Sequence, residues 1–388
     1  MPQGSSPSAA EPPVADARPL RVLVAPDSFK GSLTSVQVAE AIADGWHRAR
    51  PDDRIRLAPL ADGGEGTLEA IAAAGGWEWR ETEALDPLRR PVRARWLARA
   101  DGAAAVVELA EASGLSRVAP EERDPMRATT QGTGQVLRAV LDAGVRRIDL
   151  GIGGSATTDG GAGILGELGA DFSAWPVVRL DGLDPRLAGV DLRVACDVTN
   201  RLLGEHGAAA TYGPQKGATA AQVAQLDASL RDWADALEWA SGRQERDTPG
   251  AGAAGGTGFG LLAIQDRFRS FALQPGVDLV LEAAGAAEAI GEADVVVTGE
   301  GRIDAQTAFG KTALGVAVRA RDAGAACIAV GGGLTPEGIE ALAAVGAVAV
   351  PMAEGPATLE ELIAAGTAPL ERAAERVARL IGLVPRLD

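Results

Sequence analysis

The chain has 388 residues, with 37 Lys and Arg against 53 Asp and Glu and a formal net charge of −16. At ~100–200 residues per domain this length predicts two or three globular units, and the sign of the charge excludes a dedicated nucleic-acid or anionic-membrane binder, both of which need gathered cations. Two cysteines, Cys196 and Cys327, and two histidines, His47 and His206, exclude a disulfide scaffold, a thiolate zinc site and a three-histidine metal centre. Acid–base work then falls to carboxylates.

A 46% hydrophobic content with only 4% aromatics and 50 glycines predicts an aliphatic core with many turns, as in an α/β enzyme. Residues 1–19 hold five prolines among Ser and Ala and read as a disordered tail, without the apolar core of a secretory signal. No apolar run approaches the ~20 residues of a membrane span, so a cytoplasmic protein with no membrane partner is expected.

From Arg21 the apolar run Val22–Ala25 predicts a strand, Pro26–Gly31 a loop and the segment after Thr34 a helix. Thr34 and Gln37 have capping-box spacing, and Val38, Ile42 and Trp46 recur on one face. The pattern repeats with strand Ile55–Leu60, loop Ala61–Gly66 and helix Thr67–Ala74. Between residues 86 and 285 it changes. Val92–Trp96 and Ala103–Leu109 flank the hairpin signal Asp101-Gly102, followed by helix 134–143, strand 148–151, helix 162–168 and strand 193–195. The first pattern returns with strands 294–297, 327–330 and 347–350, the loop 298–310 and the helices 311–323 and 336–345. The expected architecture is α/β: a discontinuous, flavodoxin-like, doubly wound parallel sheet over 20–85 and 286–388, with a mixed α/β unit inserted over 86–285.

Open α/β sheets bind ligands outside the carboxyl ends of their strands, where several loops here combine glycine with charge. Asp27-Ser28-Phe29-Lys30 offers a carboxylate, a hydroxyl and a cation. Asp62-Gly63-Gly64-Glu65-Gly66 lets backbone approach a ligand while its acids face a metal or hydroxyl. Gly153-Gly154-Ser155-Ala156-Thr157-Thr158-Asp159 could cradle phosphate through its amides. Taken singly, each reads equally well as a tight turn, an Asx-turn or a helix cap. Gly151-x-Gly153-x-x-Ala156 with Asp171 formally matches a dinucleotide fingerprint, but helix 162–168 leaves no room for the strand that should precede the acid. Gly310-Lys311-Thr312 ends like a phosphate-binding loop, yet Ala305 occupies the position of its first glycine. Asp197 and Asn200 lie just beyond a strand, Lys216 sits in the glycine-bounded turn 213–217, and Glu300, Arg302 and Asp304 crowd the loop 299–304.

These segments, in this order, resemble the type 1 glycerate kinase family along nearly the whole chain from Arg21. Ala195-Cys196-Asp197-Val198-Thr199-Asn200, Gly213-Pro214-Gln215-Lys216-Gly217-Ala218 and Pro249-Gly250-Ala251-Gly252 complete the match. The resemblance implies transfer of the γ-phosphoryl group of ATP to D-glycerate, with Mg²⁺, on a flavodoxin-like unit carrying an inserted restriction-enzyme-like one and with the active site in the cleft between them. Its expected product is 2-phosphoglycerate rather than 3-phosphoglycerate.

Phosphoryl transfer needs positioning and charge neutralisation. On this reading Asp197 takes the hydroxyl proton, with Lys216 and Lys30 as catalytic cations. Gly153, Gly154, Ser155, Thr157, Asp159 and Lys311 face the nucleotide. Arg302 grips the glycerate carboxylate in company with Asp27, Ser28, Asn200 and Asp304, and Asp62, Glu65 and Glu300 lie near the metal. The competing readings are a nicotinamide-dependent oxidoreductase of a small hydroxy acid and a non-catalytic glycerate-binding regulator.

Overall fold

The structure, a computed structural model, describes residues 18–305 and 312–383. Its strands, numbered β1 to β13 in chain order, form two large sheets and a hairpin. The first sheet contains β1 (Arg21–Val24), β2 (Arg54–Leu57), β11 (Val295–Ile303), β12 (Ala326–Leu334) and β13 (Ala347–Pro351). All pairings are parallel, in the order β13-β12-β11-β1-β2. Counted along the chain this is 2-1-3-4-5, the flavodoxin-like doubly wound order. The second sheet runs β10 (Ser270–Gln274), β9 (Asp191–Ala195), β6 (Arg147–Gly151), β5 (Ala104–Glu108), β4 (Pro91–Arg99), β3 (Trp77–Leu85). It is antiparallel from β3 to β5 and parallel from β5 to β10.

Alternation along the strands explains the layering. In β1, Val22 and Val24 face one way, against Val38, Ile42 and Trp46 of helix Ser35–Ala49 and Leu370 and Val377 of helix Ala368–Leu383. The expected capping box starts the first of these helices: Thr34 Oγ1 accepts the Gln37 amide at 3.2 Å and Gln37 Oε1 accepts the Thr34 amide at 3.0 Å. Leu23 faces the other way, into a core shared with Leu68 and Ile71 of helix Thr67–Ala73 and with Val277 and Val280 of helix Gly276–Ala283. That same core includes Leu97, Val106 and Ala195 from the second sheet. One helical layer therefore fills the space between both sheets. The opposite face of the second sheet buries Val107, Ile148 and Leu150 against a third helical layer containing Val136, Ile164 and Phe259.

Three expectations change. Ending the first unit at 85 would give it Trp77–Leu85, but this strand pairs along its whole length with β4 as the edge of the second sheet. Its mostly exposed, charged residues hide it from a hydrophobicity reading. Ending the inserted unit at 285 places helix Gly276–Ala283 in it alone, whereas its apolar residues share one core with Leu60 and Val296 of the first unit and with Val106 and Ala195 of the second sheet. Lastly, 298–303 is not loop: β11 continues beside β12, with Glu300 opposite Gly331 and Arg302 opposite Gly333. A Cβ on Gly299 would stand 2.4 Å from Val330 O and one on Gly332 2.5 Å from Gly301 O, so the glycines are required by close strand approach.

Asp171 opens β7 (Asp171–Ala174), which forms a two-stranded antiparallel hairpin with β8 (Val177–Arg179). The acid of the dinucleotide pattern thus lacks the parallel strand it needs. Of the tail 1–19, residues 1–17 lie outside the described residues, and Arg18 pairs with Asp294 at 3.0 Å. Among the described residues no helix is long and apolar enough to cross a membrane.

Candidate active site

The carboxyl ends of β1, β2, β6, β9 and β11 open onto two joined cavities of about 1270 and 1210 Å³. Both are lined by Asp27, Ser28, Lys30, Asp62, Cys196 and Asp197, which form their common mouth. One cavity extends past Gly153, Gly154, Ser155 and Lys216, the other past Glu300, Arg302 and Thr312.

At the mouth, Lys30 Nζ stands 3.0 Å from Asp62 Oδ2, and Asp62, with burial opposing, raises the ammonium above its ordinary range. Asp62 Oδ1 also accepts the Gly64 amide at 3.2 Å, which fixes the turn of the glycine loop. Asp27 is buried: Oδ1 accepts the Ser28 amide at 2.6 Å and Oδ2 the Thr312 hydroxyl at 2.7 Å. Burial pushes its carboxyl up against the lowering effect of Thr312. Asp197 Oδ1 accepts the Gly276 amide at 2.9 Å. Desolvation by the cavity walls raises its carboxyl, and Asp62 and Asp278 add to the rise. A carboxylate of raised basicity at the mouth suits proton acceptance.

The glycine-bounded turn holding Lys216 is not solvated. Lys216 is 2% exposed, and its Nζ donates to Ser155 Oγ at 2.9 Å and Thr157 O at 2.6 Å. Burial pushes this amine down to about 7, with Asp159 opposing. The Gly153–Ser155 loop is held from beneath by this lysine and from the side by the Gly153 amide, which donates to Gly63 O at 3.1 Å.

Five expected residues stand apart from the cavity lining or from the described residues. Asp159 accepts hydrogen bonds from the Thr129 and Thr130 hydroxyls and the Thr130 and Gly163 amides at Oδ2 and from the Gly161 amide at Oδ1, so its carboxylate shapes its own loop. Thr157 is fully buried beneath that loop, facing Lys216 with its carbonyl. Asn200 donates to His206 O and accepts from the Tyr212 hydroxyl, which positions Tyr212 at the cavity instead of reaching it. Asp304 pairs with Arg302 at 3.4 Å, behind the arginine that lines the cavity. Lys311 lies outside the described residues. Of the metal set, Glu65 lines one cavity, Glu300 the other and Asp62 both. Among the described residues no three His, Cys, Asp or Glu side chains gather as a metal-holding group.

Sequence reasoning misses Thr312, which orients Asp27, and Glu108 at the end of β5. Glu108 is 4% exposed, accepts the Leu68 amide at 3.3 Å and lines the first cavity. Burial, reinforced by Glu69 and Glu111 and opposed by the Leu68 amide, pushes its carboxyl up to about 8. Its signal is visible in retrospect: one acid ends an otherwise apolar strand.

Comparison with known proteins identifies the family of the chain. The sequence model of the glycerate kinase family matches residues 22–382. The chain is 43% identical over 373 residues to the glycerate kinase of Halalkalibacterium halodurans, covering 92% of this chain and 97% of that one. It is 41% identical over 333 residues to the glycerate 2-kinase of Escherichia coli K12, covering 82% and 86%. A crystal structure of a candidate glycerate kinase 2 from Salmonella typhimurium LT2 superposes with a TM-score of 0.80 at 38% identity, covering 94% of this chain and 98% of that one. The chain belongs to the glycerate kinase family.

Proposed function

We propose that the protein transfers the γ-phosphoryl group of ATP to the 2-hydroxyl of D-glycerate, giving 2-phosphoglycerate and ADP. The observation that carries this reading is the meeting of a carboxylate of raised basicity, Asp197, with the cation Lys30 at a mouth shared by two cavities, one of them reaching the Gly153–Ser155 loop above the buried Lys216. Asp197 takes the proton of the attacking hydroxyl as its oxygen bonds to the γ-phosphorus and the bond to the ADP oxygen breaks. The loop amides and Lys216 face phosphate oxygens, Lys30 steadies charge at the mouth, and Arg302 holds the glycerate carboxylate through its two-pronged fork.

Mg²⁺ fits the donor set, since a nucleotide-borne ion needs only one or two carboxylates beside its phosphate ligands, and Asp62 and Glu65 supply hard oxygens on one cavity wall. When bound, the ion neutralises charge on the phosphoryl oxygens. In this reading the two sheets belong to two units with the site in their cleft, the substrates are small molecules, and the protein works in the cytoplasm. ADP release measured with Mg-ATP and D-glycerate, L-glycerate or no acceptor tests it: release should follow D-glycerate alone. Release independent of any acceptor would contradict it, and reduction of NAD by glycerate would favour the oxidoreductase.

A further inference from the structure

Lys216 ends the turn Pro214–Lys216, and both groups that its Nζ donates to, the Ser155 hydroxyl and the Thr157 carbonyl, are uncharged. Among the described residues no carboxylate lies within ion-pair distance of it. Asp159 acts on it only through space, its own oxygens being occupied by the Thr129, Thr130, Gly161 and Gly163 donors. On the far side of the turn, the Arg123 guanidinium donates to Gln215 O at 3.3 Å, and Tyr212 on the preceding helix gives its hydroxyl hydrogen to Asn200. A neutral amine has two N–H donors, which matches the two acceptors present. An ammonium has three, and the cavity beside the Gly153–Ser155 loop, which Lys216 lines, can receive an acceptor for the third.

We propose that Lys216 rests as the neutral amine before ligand binds, and that an oxyanion arriving at the Gly153–Ser155 loop converts it to the ammonium with uptake of one proton from solvent. The lone pair of Nζ takes the proton, the third N–H donates to the oxyanion, and no bond to phosphorus is made or broken. The lowering of this amine to about 7 by burial agrees with the count of hydrogen-bond partners, and an anion at contact distance restores the charged form. The cost of burying a lone cation is thus avoided until its counter-ion is present. This inference rests on the reading of the loop as a phosphate site.

Calorimetric titration of the full chain with Mg-ATP, without glycerate, in buffers of different ionisation heat counts the protons taken up on binding. The wild type should take up most of one proton per site at pH 8 and close to none at pH 6. Lys216→Met should bind more weakly with no uptake at either pH, and Lys216→Arg, permanently charged, should also show none. The wild-type comparison between the two pH values stands even if a variant fails to melt cooperatively. Tight binding at pH 8 without uptake, or uptake that persists in Lys216→Met, overturns the proposal alone. Absence of any nucleotide binding overturns it together with the phosphate reading of the loop.

Discussion

The Gly153 amide donates to the Gly63 carbonyl at 3.1 Å, a single bond that ties the loop leaving β2 to the loop leaving β6 across the two sheets. Neither loop has room to spare: a Cβ on Gly153 would stand 2.6 Å from Gly64 Cα, and one on Gly151 2.5 Å from Gly63 O. Gly153→Ala should therefore displace backbone against backbone, destabilise by roughly 1–3 kcal/mol and lower turnover. Gly189→Ala, where an added Cβ meets nothing within 4 Å, should change stability by less than about 0.5 kcal/mol. Chemical denaturation of the pair measures both. Equal melting of the two variants would remove the crowding argument.

Asp197→Asn keeps the hydrogen bond from Gly276 but cannot accept a proton. Turnover should fall by roughly 10²–10⁴ while nucleotide affinity stays near that of the wild type. Because its carboxyl is raised, activity should be lost as pH falls at values above the ordinary aspartate range. A collapse in nucleotide affinity instead would reassign Asp197 to metal binding.

Glu108 gives a stability prediction with a definite sign. Its carboxyl is held up to about 8 in the folded state and returns to about 4.5 when unfolded, so between these values the folded protein holds the extra proton. Stability from this group is full below the unfolded value and declines as pH rises toward 8. Glu108→Gln can still accept the Leu68 amide and does not titrate. The variant should gain on the wild type across pH 5–8, by on the order of a few kcal/mol at the upper end. Parallel melting-temperature curves for the two proteins across that range would refute it.

Arg302 is exposed and contributes little packing, with Asp304 behind it. Arg302→Ala should leave melting unchanged and raise the KM for glycerate about 10–100-fold, matching the loss of a charge-assisted contact of roughly 1.5–3 kcal/mol. The KM for ATP should move little. A reversed pattern would put nucleotide, not glycerate, at this arginine.

The parallel sheet is legible in the sequence because its strands are short apolar runs between clear loops and helices, Val22–Ala25 and Cys327–Val330 among them. The edge strand Trp77–Leu85 is not, because an edge facing water carries charge and mimics a loop. Glycine next to charge marks most of the loops that line the cavities, and the resemblance adds Asp197 to Asp27, Lys30, Asp62, Ser155 and Lys216, all of which line them. What spacing does not reveal is which side chains are already satisfied. Asp159 and Asn200 have the same residue types as the side chains that line the cavities, and only their hydrogen-bond partners show that they hold up neighbouring structure. Burial is equally invisible: nothing in the spacing of the glycine-bounded turn 213–217 shows that it carries Lys216 into the interior.

The central claim, phosphoryl transfer to the 2-hydroxyl of D-glycerate, is tested most directly by proton-coupled ³¹P NMR of the full chain with Mg-ATP and D-glycerate. Phosphorus esterified at the 2-position couples to one carbon-bound proton and at the 3-position to two. The account predicts growth of a phosphomonoester doublet matched by loss of the γ-phosphate signal of ATP. A triplet would contradict the assignment of the 2-position, and loss of ATP into inorganic phosphate without any new ester signal would contradict the kinase activity itself.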